Sequence, residues 1–184
     1  VTLPVEVTAA DNSSEAAEVK ITVPASAGSV DVEIPVENNS TGIVAVKVNA
    51  DGTEEIIKLT KPTENGVQIT LDGTTTVKLV DNSKAFDDVK SNDWFKDSVD
   101  FVSARVIMNG TSSDNFAPND QLNRAMMATV LWSLDNGPKM TVTDKFSDVK
   151  PTDWFANSVT WAAANGITAG YGDSFGAADS ITRE

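Results

Sequence analysis

The chain has 184 residues and carries 27 acidic against 14 basic side chains, a formal charge of -13. A surface of that sign has nothing to neutralise a run of phosphates, which argues against nucleic acid and against an anionic lipid surface as partners. There is no His and no Cys, so histidine general bases, thiolate nucleophiles, disulfides and the commonest metal ligands are excluded. Apolar residues make up 40%, enough for a packed core, and no apolar run approaches the ~20 residues of a membrane helix, so no direct membrane insertion is expected. Val1 is not a start Met and no signal peptide is visible; the chain reads as a mature product or an excised fragment.

The first 82 residues predict an all-β domain. Period-2 alternation runs through Leu3/Val5/Val7, Val19/Ile21/Val23, Val30/Val32/Ile34/Val36 and Val44/Val46/Val48. It continues through Ile57/Leu59, Val67/Ile69/Leu71 and Thr75/Val77/Leu79, as expected of half-buried antiparallel strands. Asp51-Gly52 and Asp72-Gly73 lie between consecutive runs and predict tight hairpins. Pro4, Pro24 and Pro35 are placed at strand ends or edges, because proline cannot donate to a ladder. About seven short strands suggest a small sandwich, Ig-like in general plan.

Asp81-Asn82-Ser83-Lys84 reads as a junction, and the composition changes across it. All aromatic residues and all Met lie at or beyond Phe86, whereas every Glu except Glu184 lies before it. Beyond the junction the sequence repeats: Phe86–Phe95 aligns with Phe146–Phe155 at an offset of 60, and 12 of the 25 positions from 86 to 110 are identical. At an offset of 59 Phe116 then matches Phe175, and Arg124 matches Arg183. Each copy reads as helix, loop, helix. Phe95, Val99, Val102 and Val106 have helical spacing after a cap expected at Ser91 or Asn92. A second helix is expected after Asn123, with Met127, Val130, Leu131 and Leu134 on one face and Gly137-Pro138 ending it. The second copy stops at Ile181-Thr182-Arg183-Glu184, where its second helix should begin, so its first helix is expected to lack a packing partner. The domains read as 1–82, 83–139 and 140–184. The fold class is α+β multidomain: an all-β sandwich, then mostly α-helical helix-loop-helix repeats.

The repeat resembles the S-layer homology (SLH) module of Gram-positive, Firmicutes-type cell-surface proteins. The residues that carry the likeness are Phe146-Ser-Asp-Val149, Asp153-Trp154, Gly166-Ile167, Gly170, Phe175 and Ile181-Thr-Arg-Glu184. The resemblance implies non-covalent attachment to a secondary cell-wall polysaccharide, often one bearing pyruvate ketals, and an extracellular, cell-wall location. Such modules usually come in threes with glycan grooves between neighbours, so further repeats outside this chain are implied partners. The first copy departs from the pattern with Asn123 for Thr and Met126 for the usual acid. Asn still caps a helix, but the reciprocal bond of a capping box is lost.

Arg124 and Arg183, two of only three Arg, fall at equivalent places in the first turn of a predicted helix. There a cation opposes the macrodipole by about 0.3–1 kcal/mol. A guanidinium in that unfavourable place is suited to gripping a glycan carboxylate bidentately; the alternative is a surface Arg bridging to a nearby Asp. Trp94, Trp154 and Trp161 offer faces for sugar rings, but at helix starts next to a Phe they read first as core anchors, and Tyr171 is the better candidate for a groove-lining aromatic. Asp93 recurs as Asp153, and Asp88 as Asp148; they read first as turn and capping residues, with glycan contact the alternative.

No catalytic residue is expected. Glycoside hydrolysis needs two convergent carboxylates, and Glu54-Glu55 on a strand point to opposite faces. No spacing matches an EF-hand loop, and neither metal nor cofactor is implied. The leading function is a non-catalytic segment that anchors a larger protein to the wall. The alternatives are a structural or adhesive module with decayed repeats, and the non-catalytic part of a polysaccharide-degrading enzyme. Because the groove of the second copy needs a helix not in this sequence, the chain by itself is expected to bind poorly or not at all.

Overall fold

The computed structural model describes residues 5–8, 18–37 and 40–181, the first four as backbone alone. Leu3, Pro4 and Arg183 lie outside the described residues. Among the described residues eight strands form two antiparallel sheets. The strands are β1 (Val5–Thr8), β2 (Glu18–Ile21), β3 (Val30–Pro35), β4 (Ile43–Val48), β5 (Glu54–Ile56), β6 (Lys61–Pro62), β7 (Gly66–Leu71) and β8 (Thr75–Asp81). One sheet has the order β1-β2-β8-β4-β5 and the other β3-β7-β6. The register sets Val19 opposite Val77, Val44 opposite Val80 and Ile34 opposite Val67. Ile21, Ala45 and Val77 of the first sheet share one core with Ile69 and Leu71 of the second, so the sheets are stacked face to face.

Three sequence expectations change in this part. Ile57/Leu59 is not a strand: Thr60 closes a turn onto the Ile57 carbonyl, leaving Leu59 63% exposed. The strand there is the shorter β5, where Glu54 and Glu55 oppose Val48 and Lys47. Of the two Asp-Gly turns, only Asp51-Gly52 makes a hairpin, with Gly52 at φ 82° and Asn49 and Thr53 closing it. Asp72-Gly73 instead joins β7 to β8, which lie in different sheets. Finally, the face of β4 that enters the sandwich is that of Ala45, while Val44 and Val46 sit in a second apolar cluster with Ile56, Val80 and Ala104. The valine stripe therefore faces away from the other sheet. Pro35, by contrast, ends the edge strand β3, where its missing N–H costs no ladder bond on the open side.

Among the described residues three α-helices follow: α1 (Lys96–Ala104), α2 (Arg124–Leu134) and α3 (Ala156–Ala164). Helices α1 and α3 start later than a cap at Ser91 or Asn92 would place them, because Phe95 and Phe155 occupy the cap positions and neither caps with its side chain. The preceding turns are closed by aspartates: Asp93 and Asp153 each accept the N–H of the residue three before, Lys90 and Lys150, at 2.7 Å. Helix α2 buries Ala125 and Ala128 rather than the Met127/Val130/Leu134 stripe, since small side chains let α3 approach through Ala156, Val159 and Ala162.

The chain packs as two compact units, one ending at Phe116 and one beginning at Ala117. In the first, α1 belongs with the sheets. In the second, α2 of the first copy packs with α3 of the second. The expectation that α3 lacks a partner is thereby corrected: its partner is the helix of the preceding copy. Packing and sequence repeat are offset by half a copy.

Candidate functional site

The site is built at the first turn of α2. Asn123 adopts the extended cap conformation, and its side-chain oxygen accepts the Met126 N–H at 2.9 Å. The next free helix N–H groups, which a helix start leaves unsatisfied, find carbonyls of the second copy. Arg124 N donates to Asp179 O at 2.9 Å and Ala125 N to Ala177 O at 3.1 Å. The loop 168–181 is thus pinned to the helix start, and Arg124 emerges between the two.

The Arg124 guanidinium is half-buried. Its Nε donates to Phe175 O at 3.0 Å and one Nη to Thr168 Oγ1 at 3.3 Å. Its carbon lies 4.7 Å from the Tyr171 ring centroid and 4.8 Å from that of Phe175, a cation–π arrangement. Among the described residues no carboxylate lies within ion-pair distance of it. Tyr171 is 61% exposed, so one face of this pair is open to solvent. Gly176 is required beneath it. Gly176 has φ 71°, and a Cβ there would press on the Asp179 carboxylate and come within 2.8 Å of Tyr171 Cε2.

Asp148 holds the loop from the other side. Its carboxylate accepts the N–H groups of Phe175 at 2.7 Å and Gly176 at 2.8 Å and the Ser174 hydroxyl at 3.0 Å. The Phe175 N–H, followed by the Gly176 and Ser174 donors, holds this carboxyl below its ordinary pKa. Asp88 makes the matching bond to Phe116 N in the first copy.

Of the sequence candidates, Arg124 and Tyr171 come together. Trp94 is 91% and Trp154 62% exposed, each edge-on to the next Phe, so neither is a core anchor. Trp161 is one, buried and donating from Nε1 to Asp135 at 2.9 Å. Among the described residues no hydrogen bond or ring contact links Trp154 to Arg124. Asp93 and Asp153 are occupied in their turns. Sequence reasoning does not reach Thr168, Phe175 and Gly176 as site residues; the signal available is the second copy's glycine-rich loop facing an arginine one half-repeat away.

Residues 85–128 and 145–184 match the S-layer homology domain. The two segments are S-layer homology repeats. SLH domains are non-catalytic modules that anchor surface proteins to the cell wall by binding its secondary polysaccharides, which places this chain at the cell surface. The chain is 38% identical over 101 residues to an amylopullulanase of Thermoanaerobacterium thermosulfurigenes, covering 55% of this chain and 5% of that protein. It is 36% identical over 99 residues to endo-1,4-beta-xylanase A of Thermoanaerobacterium saccharolyticum, covering 54% and 8% respectively. A surface-layer 125 kDa protein of Lysinibacillus sphaericus is 33% identical over 88 residues, covering 46% and 7%. The chain therefore spans 10% or less of the length of these relatives, and the enzymes among them are matched only over that small share.

Proposed function

We propose that the Arg124 site of these SLH repeats takes a carboxylate of an acidic, pyruvylated wall polysaccharide. The observation that supports it is a half-buried guanidinium, held from behind by Phe175 O and Thr168 and flanked by an exposed Tyr171, with no carboxylate of its own among the described residues. The remaining N–H groups of the fork can donate bidentately to a planar anion, while the tyrosine face meets a sugar ring. Trp94, Trp154 and Arg183 are proposed as further contacts on other stretches of the glycan. The side chains of Asp93 and Asp153 serve by shaping the turns that carry the tryptophans.

On this reading the chain is organised as a β spacer over 1–82 and two copies over 83–139 and 140–184, itself without catalytic activity, and part of a larger surface protein. The spacer's two-sheet plan is Ig-like in general terms, although β8, the last strand, lies at the centre of the first sheet. Because two of the relatives are named as an amylopullulanase and a xylanase, a polysaccharide-degrading enzyme is the second reading for the larger protein. The test is a pull-down of the chain with purified wall polysaccharide before and after chemical removal of its pyruvate groups. Arg124→Lys should weaken binding about tenfold, since the ammonium keeps the charge but loses the fork. Undiminished binding by Arg124→Ala, or by depyruvylated glycan, overturns the assignment.

A further inference from the structure

The third arginine does something different from the other two. Arg105, at the end of α1, has no solvent exposure and, among the described residues, no carboxylate partner. Its guanidinium donates to four carbonyl oxygens: Thr60 at 2.7 Å, Thr41 at 2.8 Å, Phe101 at 3.1 Å and Ile43 at 3.2 Å. It stacks 3.8 Å from the centroid of the Phe101 ring. Three of those carbonyls belong to the β part and one to α1 itself. Beside it, the fully buried Ala104 seals Val44, Val46, Ile56 and Val80, the apolar stripe on the outer face of the first sheet. From the junction, Asn82 Nδ2 donates to the Ala104 carbonyl at 2.5 Å and so caps the helix end.

The corresponding residues of the second copy, Ala164 and Asn165, are exposed, so this docking is not a property of the repeat in general. The first copy's loop has also changed. It carries Thr111 where the second has Tyr171, and Ala117 where the second has Gly176. A methyl at that last place would crowd a ring such as Tyr171.

We infer that α1, from the first half of the first repeat, is a docking element held on the β sandwich through Arg105, so that this half-repeat belongs to the sandwich's cooperative unit. Its own loop, on the reading of Arg124 given above, carries no second carboxylate site. A cation removed from water and solvated only by main-chain oxygens of two elements forces both to keep one geometry, since separating them strands the charge. Burial lowers the Arg105 pKa to about 10, so the group stays charged near neutrality.

Native-state hydrogen exchange of the full chain across a denaturant series tests this without any ligand, and so independently of glycan binding. Amides of 96–104 should open with those of 43–48, as one cooperative unit distinct from 156–164. Arg105→Asn, the side chain found in the second copy, should speed exchange at 96–104 by about 100-fold. Should that variant fail to fold, Asn82→Ala, which uncaps the Ala104 carbonyl, should speed exchange at 96–104 and at 43–48 together by about fivefold; a gain at 96–104 alone counts against the inference. An opening of 96–104 shared with 156–164, or unaltered exchange in a folded Arg105→Asn, overturns the inference.

Discussion

Two residues of the first copy sit where the second copy has glycine. Val106 has φ 54° and Ala117 φ 60°, against Gly166 at 70° and Gly176 at 71°. The left-handed region costs an L side chain about 1–2 kcal/mol, and for a β-branched one it is a genuine outlier. Ala117→Gly should therefore stabilise the chain by about 0.5–1 kcal/mol after the entropy of the added glycine is subtracted, read from the midpoint of chemical denaturation. Gly176→Ala should do the opposite and also weaken polysaccharide binding, because its methyl meets Tyr171 and Asp179. Asp148 sets an acid limit on the same loop. Its folded pKa lies below the unfolded value of 3.8, so its contribution is complete above the unfolded pKa and is lost as pH falls through the folded one. The amide resonances of Phe175 and Gly176 should titrate with a midpoint below 3.8 and cease to do so in Asp148→Asn.

The two Asp-Gly turns show how far a pair of letters constrains an element. Gly52 needs its positive φ for the β4–β5 hairpin, whereas Gly73 is absent from the positive-φ residues and has open space where an added methyl would stand. Gly52→Ala should cost about 1 kcal/mol and Gly73→Ala nothing measurable or a slight gain, compared by thermal unfolding of the two variants. Strand positions were legible because alternation reports the pleat. Which face met the other sheet was not, because Val44 and Val46 are as apolar as any core residue and only the presence of α1 behind β4 explains them. Helix starts were misplaced for a related reason. Asp93 and Asp153 satisfy turn N–H groups from outside the helix, and such a bond leaves no signature that differs from a cap.

For the whole molecule, charge decides the character of binding. A chain of net charge -13 meeting an acidic polysaccharide is repelled over a Debye length of ~8 Å at physiological salt. On the proposed reading, affinity comes from short-range contact at Arg124 and Tyr171. Wall binding should therefore hold steady or improve slightly from low to physiological salt in a sedimentation assay; collapse over that range would point to a general ionic attraction instead. Arg124 could be picked out from sequence because its position in two copies opposed the helix dipole. Its surroundings could not, since they come from a loop 44 to 55 residues further on, and the pairing is half a repeat out of step with the sequence alignment.

That half-step has a genetic consequence. The interface joins the second half of one copy to the first half of the next, so unequal recombination that gains or loses about one repeat length always rejoins halves of complementary kind. Every such product keeps its helix pairs and its arginine-to-loop contacts, and no intermediate with a half-empty core stands between one copy number and another. If the proposed Arg124 site is the wall contact, the number of such contacts can change by duplication and deletion alone, with point substitutions such as those at 111 and 117 altering individual loops.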